Sequence, residues 1–156
     1  AAVYESFEQD IYEALEQMRK LLSKYHTIKM IFPEYTYHPE EIIKGFTKFC
    51  RQYAFNYKVV HDVSREPIKE GEVFINLMED DLVVLLGKIK SSNLIVGKNI
   101  GIISYKETPW KQFILEGITT ISTDFKKMGE MAAQMVLNDE KTKEEVPFAL
   151  TLRSSL

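Results

Sequence analysis

The chain has 156 residues, 45% of them hydrophobic, with 20 lysines and arginines against 23 aspartates and glutamates and a formal net charge of −3. That length and apolar share suit one compact domain and exclude collagen-like, disulfide-scaffold and disordered classes. No basic block offers a grip on a phosphate backbone, no apolar run reaches the ~18 residues that span a bilayer, and the first ten residues lack the basic and apolar regions of an export signal. A cytoplasmic chain is expected, and its single cysteine, Cys50, has no partner for an internal disulfide.

Val3 and Tyr4 read as the end of a strand or a crossover. Ser6 and Gln9 have the spacing of a capping box. Phe7, Ile11, Leu15, Met18 and Leu22 follow at steps of three and four, the face of a helix running to about Lys24. Residues 27–32 are apolar and β-branched and stop at Pro33, which predicts a buried strand. Pro39, Glu40 and Glu41 open a second helix, with Ile42, Ile43, Phe46, Phe49, Cys50 and Tyr53 as its apolar stripe.

Residues 57–63 and 72–77 read as the next two strands. The polar stretch between them, 64–71, is too short for a crossover helix of ordinary length. Asp80 or Asp81 is expected to cap a helix carrying Leu82, Leu85, Leu86 and Ile89. Residues 100–105 are uniformly apolar and predict a strand covered on both faces. Residues 117–122 form a fifth strand. Asp124 caps a helix with Phe125, Met128, Ala132, Met135 and Val136 on one side, and residues 147–153 supply a sixth strand.

Helices alternating with short apolar strands predict an α/β fold, a mainly parallel open sheet of about six strands flanked by helices. Ligands meet such sheets beyond the carboxyl ends of the strands, which directs attention to residues 33–39, 62–66, 76–81 and 106–110. Glu79, Asp80 and Asp81 there fit either a metal or phospho-acceptor site or a helix N-terminus favoured by its dipole. A phospho-acceptor domain would also need an acidic pair after its first strand, where this chain has Pro33 and Glu34.

No nucleophile elbow, glycine-rich phosphate loop or Walker motif occurs, and His26, His38 and His61 lack a serine or cysteine partner at a recognisable spacing. No enzymatic activity, cofactor or metal is therefore expected. His26 reads as structural, at a helix C-terminus, whereas His38 lies in a strand-end loop. Aromatic and polar side chains converge on the rim: Tyr35, Tyr37, His38 and Trp110, with Asn76, Asp80, Asp81 and Lys106 beside them. Aromatic faces with planar polar groups suit a small polar ligand such as a sugar. The same mixture also suits a surface facing a partner or a second lobe. Lys106 is placed either to bind a carboxylate or phosphate on the ligand, or to pair with Glu107 or face solvent.

Several stretches of the second half resemble, in order and spacing, signatures of the lac repressor and galactose repressor family. They are Lys98-Asn99-Ile100-Gly101-Ile102-Ile103-Ser104-Tyr105-Lys106-Glu107-Thr108-Pro109, Gly117-Ile118-Thr119-Thr120-Ile121-Ser122-Thr123-Asp124-Phe125, Met128-Gly129 with Ala132-Ala133, and Leu150-Thr151-Leu152-Arg153-Ser154-Ser155. Residues 3–22 and Lys44-Gly45-Phe46 extend the resemblance to the first half.

The resemblance implies the effector-binding domain of a bacterial transcription regulator, periplasmic-binding-protein-like in fold. A sugar-like effector would sit between two lobes, the regulator would be a homodimer, and DNA would be touched only through a domain outside this chain. It implies that residues 1–156 are a carboxyl-terminal lobe and that 118–145 return to the other lobe, leaving the apolar face of helix 125–137 in search of a partner. A sugar-binding protein of a transport system is the alternative. The sequence departs from the family at Ile42, where the family has a sugar-binding arginine, and at Lys106, where it has an aspartate. Asp80-Asp81 replaces an Asn-Asp pair, and 64–71 replaces a helix. These departures resemble a branch fused to a gluconate-repressor-type winged helix.

Overall fold

The computed structural model describes residues 1–156. In chain order its elements are β1 (Ala2–Tyr4), α1 (Phe7–Gln17), α2 (Arg19–Leu22), β2 (Thr27–Ile31), α3 (Glu41–Gln52), β3 (Asn56–Val60), β4 (Glu72–Asn76), α4 (Glu79–Lys90), β5 (Ile100–Tyr105), β6 (Thr119–Thr123), α5 (Phe125–Leu137), β7 (Lys143–Glu145) and β8 (Phe148–Thr151). Short 3-10 turns occupy Val63–Arg65 and Pro109–Phe113.

Six strands form one sheet in the order β3-β2-β4-β5-β6-β8, parallel throughout except for β8, which runs antiparallel to β6. This is the expected α/β architecture. The register aligns Ile31 with Val60 and Asn76, and Asn76 with Ser104, so the carboxyl ends of four strands finish level. Alternation along the strands feeds two cores. Ile28, Met30, Val73 and Ile75 pack under α1 and α3, with Ile11, Leu15, Phe46 and Phe49. Ile31, Phe74, Ile100 and Ile102 pack under α4, with Leu82, Leu85 and Ile89. Burial on both faces is why β4 and β5 read as unbroken apolar runs. Where α1 crosses α3 only glycine fits, since a Cβ on Gly45 would press into the Glu8 carbonyl oxygen and Ile11 Cγ2.

Local capping differs from the sequence expectation at two helices. Ser6 makes no side-chain cap bond, and Gln9 donates instead to Glu13 Oε1 at 2.6 Å. The first helix also breaks at Met18, where α2 begins. Helix α4 starts at Glu79 with Met78 in the cap position, so Asp80 and Asp81 lie inside the first turn, where the dipole still favours them. Asp124 does cap α5, accepting from the Lys127 N–H at 2.9 Å.

The β3–β4 connection crosses β2 without a helix, and lysines hold it. Lys29, 6% exposed, sends Nζ to Glu66 Oε1 at 3.1 Å, Glu72 Oε2 at 2.6 Å and the Pro67 carbonyl at 3.2 Å. Lys58 adds a second cation to Glu66 at 2.8 Å, and Lys88 donates to the Val63 carbonyl at 2.9 Å and to that of Glu66. Burial alone would raise the Glu66 carboxyl, but Lys58 and Lys29 outweigh it and hold it below the usual range. His26 serves the same connection, its Nε2 lying 3.1 Å from the Glu70 carbonyl oxygen.

β1 and β7 lie outside the main sheet as a two-stranded parallel pair. α5 packs beside β1 but buries only Met135, and Val136 and Leu137 are 80% and 83% exposed. Met128 is partly covered, whereas Phe125 and Ala132 from the expected apolar stripe are exposed. No helix is long and apolar enough to cross a membrane.

Candidate functional site

A cavity of about 270 Å³ opens at the carboxyl ends of the parallel strands. Its apolar surface comes from Ile42, Leu77 and Ile121, with Phe7, Phe125 and Phe148 contributed by the first positions of α1, α5 and β8. Tyr37 and His38 enter from the β2–α3 loop, and Tyr105 and Lys106 from the end of β5. Ser122 and Thr123 close β6, and Glu5 and Asp10 approach from the start of α1.

Lys106 adopts a left-handed backbone, φ 71°, while its N–H donates to the Ile121 carbonyl at 2.8 Å. That conformation is uncommon for a side chain with a Cβ and needs an external restraint. Lys111 supplies it. Its side chain is fully buried, and Nζ donates to the carbonyls of Tyr105 at 2.9 Å and Lys106 at 2.7 Å while pairing with Glu79 Oε1 at 2.7 Å. The β5 end is thereby tied to the first turn of α4. Burial lowers the Lys111 ammonium from its ordinary value, with Glu79 opposing the shift.

Across the cavity, His38 stacks on Tyr37 with ring centroids 4.5 Å apart and planes at 26°. Its Nε2 is buried without a hydrogen-bond partner. Burial and the nearby Lys106 charge lower its pKa against an opposing backbone hydrogen bond at Leu77, so the neutral imidazole is favoured. Asp10 is pushed up to about 7 by burial, with Glu145, Glu13 and Glu5 adding repulsion. Burial, then Asp10, raises the Tyr105 hydroxyl. Glu5 accepts a hydrogen bond from the Thr123 hydroxyl.

Of the residues expected at the site, Tyr37, His38 and Lys106 line this cavity, whereas Tyr35, Asn76, Asp80, Asp81 and Trp110 do not. Tyr35 is 92% exposed at the loop tip, and Trp110 is partly exposed in the turn that carries Lys111. Asn76 is buried, its Nδ2 donating to the Met78 carbonyl at 3.2 Å and its Oδ1 without a partner. Asp81 Oδ2 is also buried without a partner, and burial, Asp80 and Asp62 together raise its pKa; Asp80 is exposed. Glu107 turns away from Lys106 to take the Arg153 guanidinium in both oxygens, at 3.0 and 2.8 Å. Burial would raise Glu107, but Arg153 holds it low.

Sequence reading missed Glu5, Asp10, Ser122, Thr123 and the strut Lys111. Glu5 and Asp10 read as ordinary polar residues around an amphipathic helix, and only the arrival of Ile121 to Thr123 and Phe125 at the same cavity makes them part of a wall. No group of three or more His, Cys, Asp or Glu side chains is arranged to hold a metal ion.

Neither a protein-family model nor a curated protein matches the sequence. Solved structures do match. A transcription regulator like protein from Staphylococcus haemolyticus superposes with a TM-score of 0.75 at 12% identity, over 99% of this chain and 60% of that one. The lac repressor dimer bound to operator and the anti-inducer ONPF gives 0.77 at 16% identity, over 98% of this chain and 52% of the other. A periplasmic binding protein/LacI transcriptional regulator from Alkaliphilus metalliredigens, complexed with D-xylulofuranose, gives 0.73 at 14% identity, over 98% and 64%. The likeness is one of fold: a periplasmic-binding-protein-like lobe of the kind found in LacI-type regulators. The chain spans between about half and two-thirds of the length of these structures.

Proposed function

We propose that this chain is the effector-sensing lobe of a bacterial transcription regulator of the lac repressor and galactose repressor type. On this reading it binds a small sugar-like ligand at the carboxyl ends of its strands. The carrying observation is the cavity itself, walled by strand ends together with Glu5 after β1, Phe125 at the start of α5 and Phe148 at the start of β8. On this reading a ligand held there contacts the strand ends and the start of α5 together, and its binding biases the angle between this lobe and a second one. The lac repressor structure with operator and the xylulofuranose complex are the neighbours that support the reading.

Within it, residues 118–145 start in the main sheet and return to a second lobe, against which the exposed face of α5 packs. Tyr37 and His38 stack on the ligand, and Lys106 pairs with a carboxylate or phosphate. DNA is reached through a separate domain, a gluconate-repressor-type winged helix, in a homodimer within the cytoplasm. Isothermal titration of the natural full-length protein against monosaccharides, sugar acids, sugar phosphates, nucleosides and amino acids tests this. An acidic or phosphorylated sugar is expected to bind, and Lys106→Asp to shift preference toward neutral sugars. Silence across sugars, nucleosides and amino acids would sink the effector role, and unchanged affinity in Lys106→Asp would remove Lys106 from the site.

A further inference from the structure

We infer that the ligand of this cavity is zwitterionic, presenting an ammonium group to Asp10 and Glu5 and a carboxylate or phosphate to Lys106. The inference rests on the cavity being the effector site and narrows its ligand from sugar-like to amine-bearing.

Asp10 is half-buried, and the charged groups acting on it are Glu145, Glu13 and Glu5, with no cation among them. The chain's ion-paired cations are committed elsewhere: Lys29 and Lys58 at Glu66, Lys111 at Glu79, Arg153 at Glu107 and Arg65 at Asp62. A second hollow of about 530 Å³ adjoins the first through Asp10 and Phe148, and Glu13 and Glu145 line it. The acids thus surround an open volume. Withdrawing carboxylates from water without a counterion is unfavourable, and an external ammonium donating to them reverses that.

Glu5 is already oriented by the Thr123 hydroxyl, so one acceptor is in place before binding. Lys106 lines the same cavity, makes no ion pair, and is fixed at its backbone by Lys111. Opposite charges on one small cavity define a ligand with opposite charges at its two ends, and like-charged or uncharged molecules leave one end unpaired. Ser122 and Thr123 line the same cavity, and with their protons given to the Thr123 carbonyl and to Glu5 their hydroxyl oxygens remain as acceptors for ligand hydroxyls, which makes amino sugar acids, amino sugar phosphates and polar amino acids the fitting class.

The test is isothermal titration of the natural full-length protein with matched pairs: glucosamine 6-phosphate against glucose 6-phosphate, glucosaminate against gluconate, and serine against glycerate. The amine member of a pair is expected to bind at least about tenfold tighter, and Asp10→Asn to erase most of that preference while sparing the hydroxyl member. If Asp10→Asn misfolds, the preference of the unaltered protein decides. Equal or tighter binding of the hydroxyl members overturns the inference and leaves the sugar-effector reading standing. No binding by any member of the three pairs overturns the inference, and the broader sugar panel then judges the effector reading separately.

Discussion

At Asp10 a carboxylate is kept among three other acids, with Tyr105 beside it and Lys106 and His38 lining the same cavity. Its pKa moves from the ordinary 3.8 to about 7. Between those values the folded chain binds more protons than the unfolded one, so the Asp10 contribution is full below the lower value and is lost as pH rises through the upper. Partial exposure reduces the size of this effect. Asp10→Asn is therefore expected to be more stable than the unaltered chain at pH 8 by about 1–2 kcal/mol, and nearly equal to it at pH 4. Urea unfolding at both values checks this; a difference independent of pH would contradict it. Lys111 acts in the opposite sense. Lys111→Met would strip three acceptors of their donor and is expected to cost about 3 kcal/mol in denaturant unfolding, whereas a loss under about 1 kcal/mol would mean that water replaces the ammonium.

Among the elements, the α1–α3 crossing and the β3–β4 connection are the most sensitive joints. Gly45→Ala is expected to lower stability by about 2 kcal/mol, because the added methyl meets backbone that cannot yield. Lys29→Met leaves Glu66 and Glu72 buried beside one fewer cation and is expected to cost about 3–5 kcal/mol. Thermal unfolding of both variants checks these values; a neutral Lys29→Met would show the strut to be dispensable. Most elements were legible because burial leaves a local pattern: residues 100–105 were expected as a strand and form β5 over that same span. The missing helix at 64–71 was legible by length, but the lysines replacing it come from β2, β3 and α4, which no local window joins. The capping box at Ser6 does not form because the Ser6 backbone, φ −103° and ψ 73°, is outside the extended geometry that aims a cap hydroxyl at the helix, and Gln9 is taken by Glu13. Tyr37, His38 and Lys106 line the cavity because the segments that follow β2 and β5 meet at the carboxyl edge of the sheet, which alternation of strands and helices made legible. The place of Glu5 and Asp10 in its wall was not legible, because it depends on strand order, and Tyr35 stays outside the wall, exposed at the loop tip.

At the scale of the molecule, the two cores hold α1 to β6 together, while β1, β7 and α5 form an outlying group with little buried apolar surface. Few buried contacts mean low local stability. Amides of α5 and β7 in the 156-residue chain are accordingly expected to exchange hydrogen at least ~100-fold faster than those of β4 and β5. Uniform protection by mass spectrometry would show that this group is cooperative with the main sheet. The cavity lies at the strand ends and includes Phe125 at the start of α5, and the proposed function makes it the place from which a small ligand changes the relation of two lobes. Amide chemical-shift mapping of the labelled natural protein during titration with its tightest-binding small molecule tests that account most directly. Shifts centred on His38, Tyr105, Lys106, Ser122 and Asp10, with a second set in α5, are the predicted result. Shifts confined to any other face of the sheet, with those five residues unmoved, would contradict it.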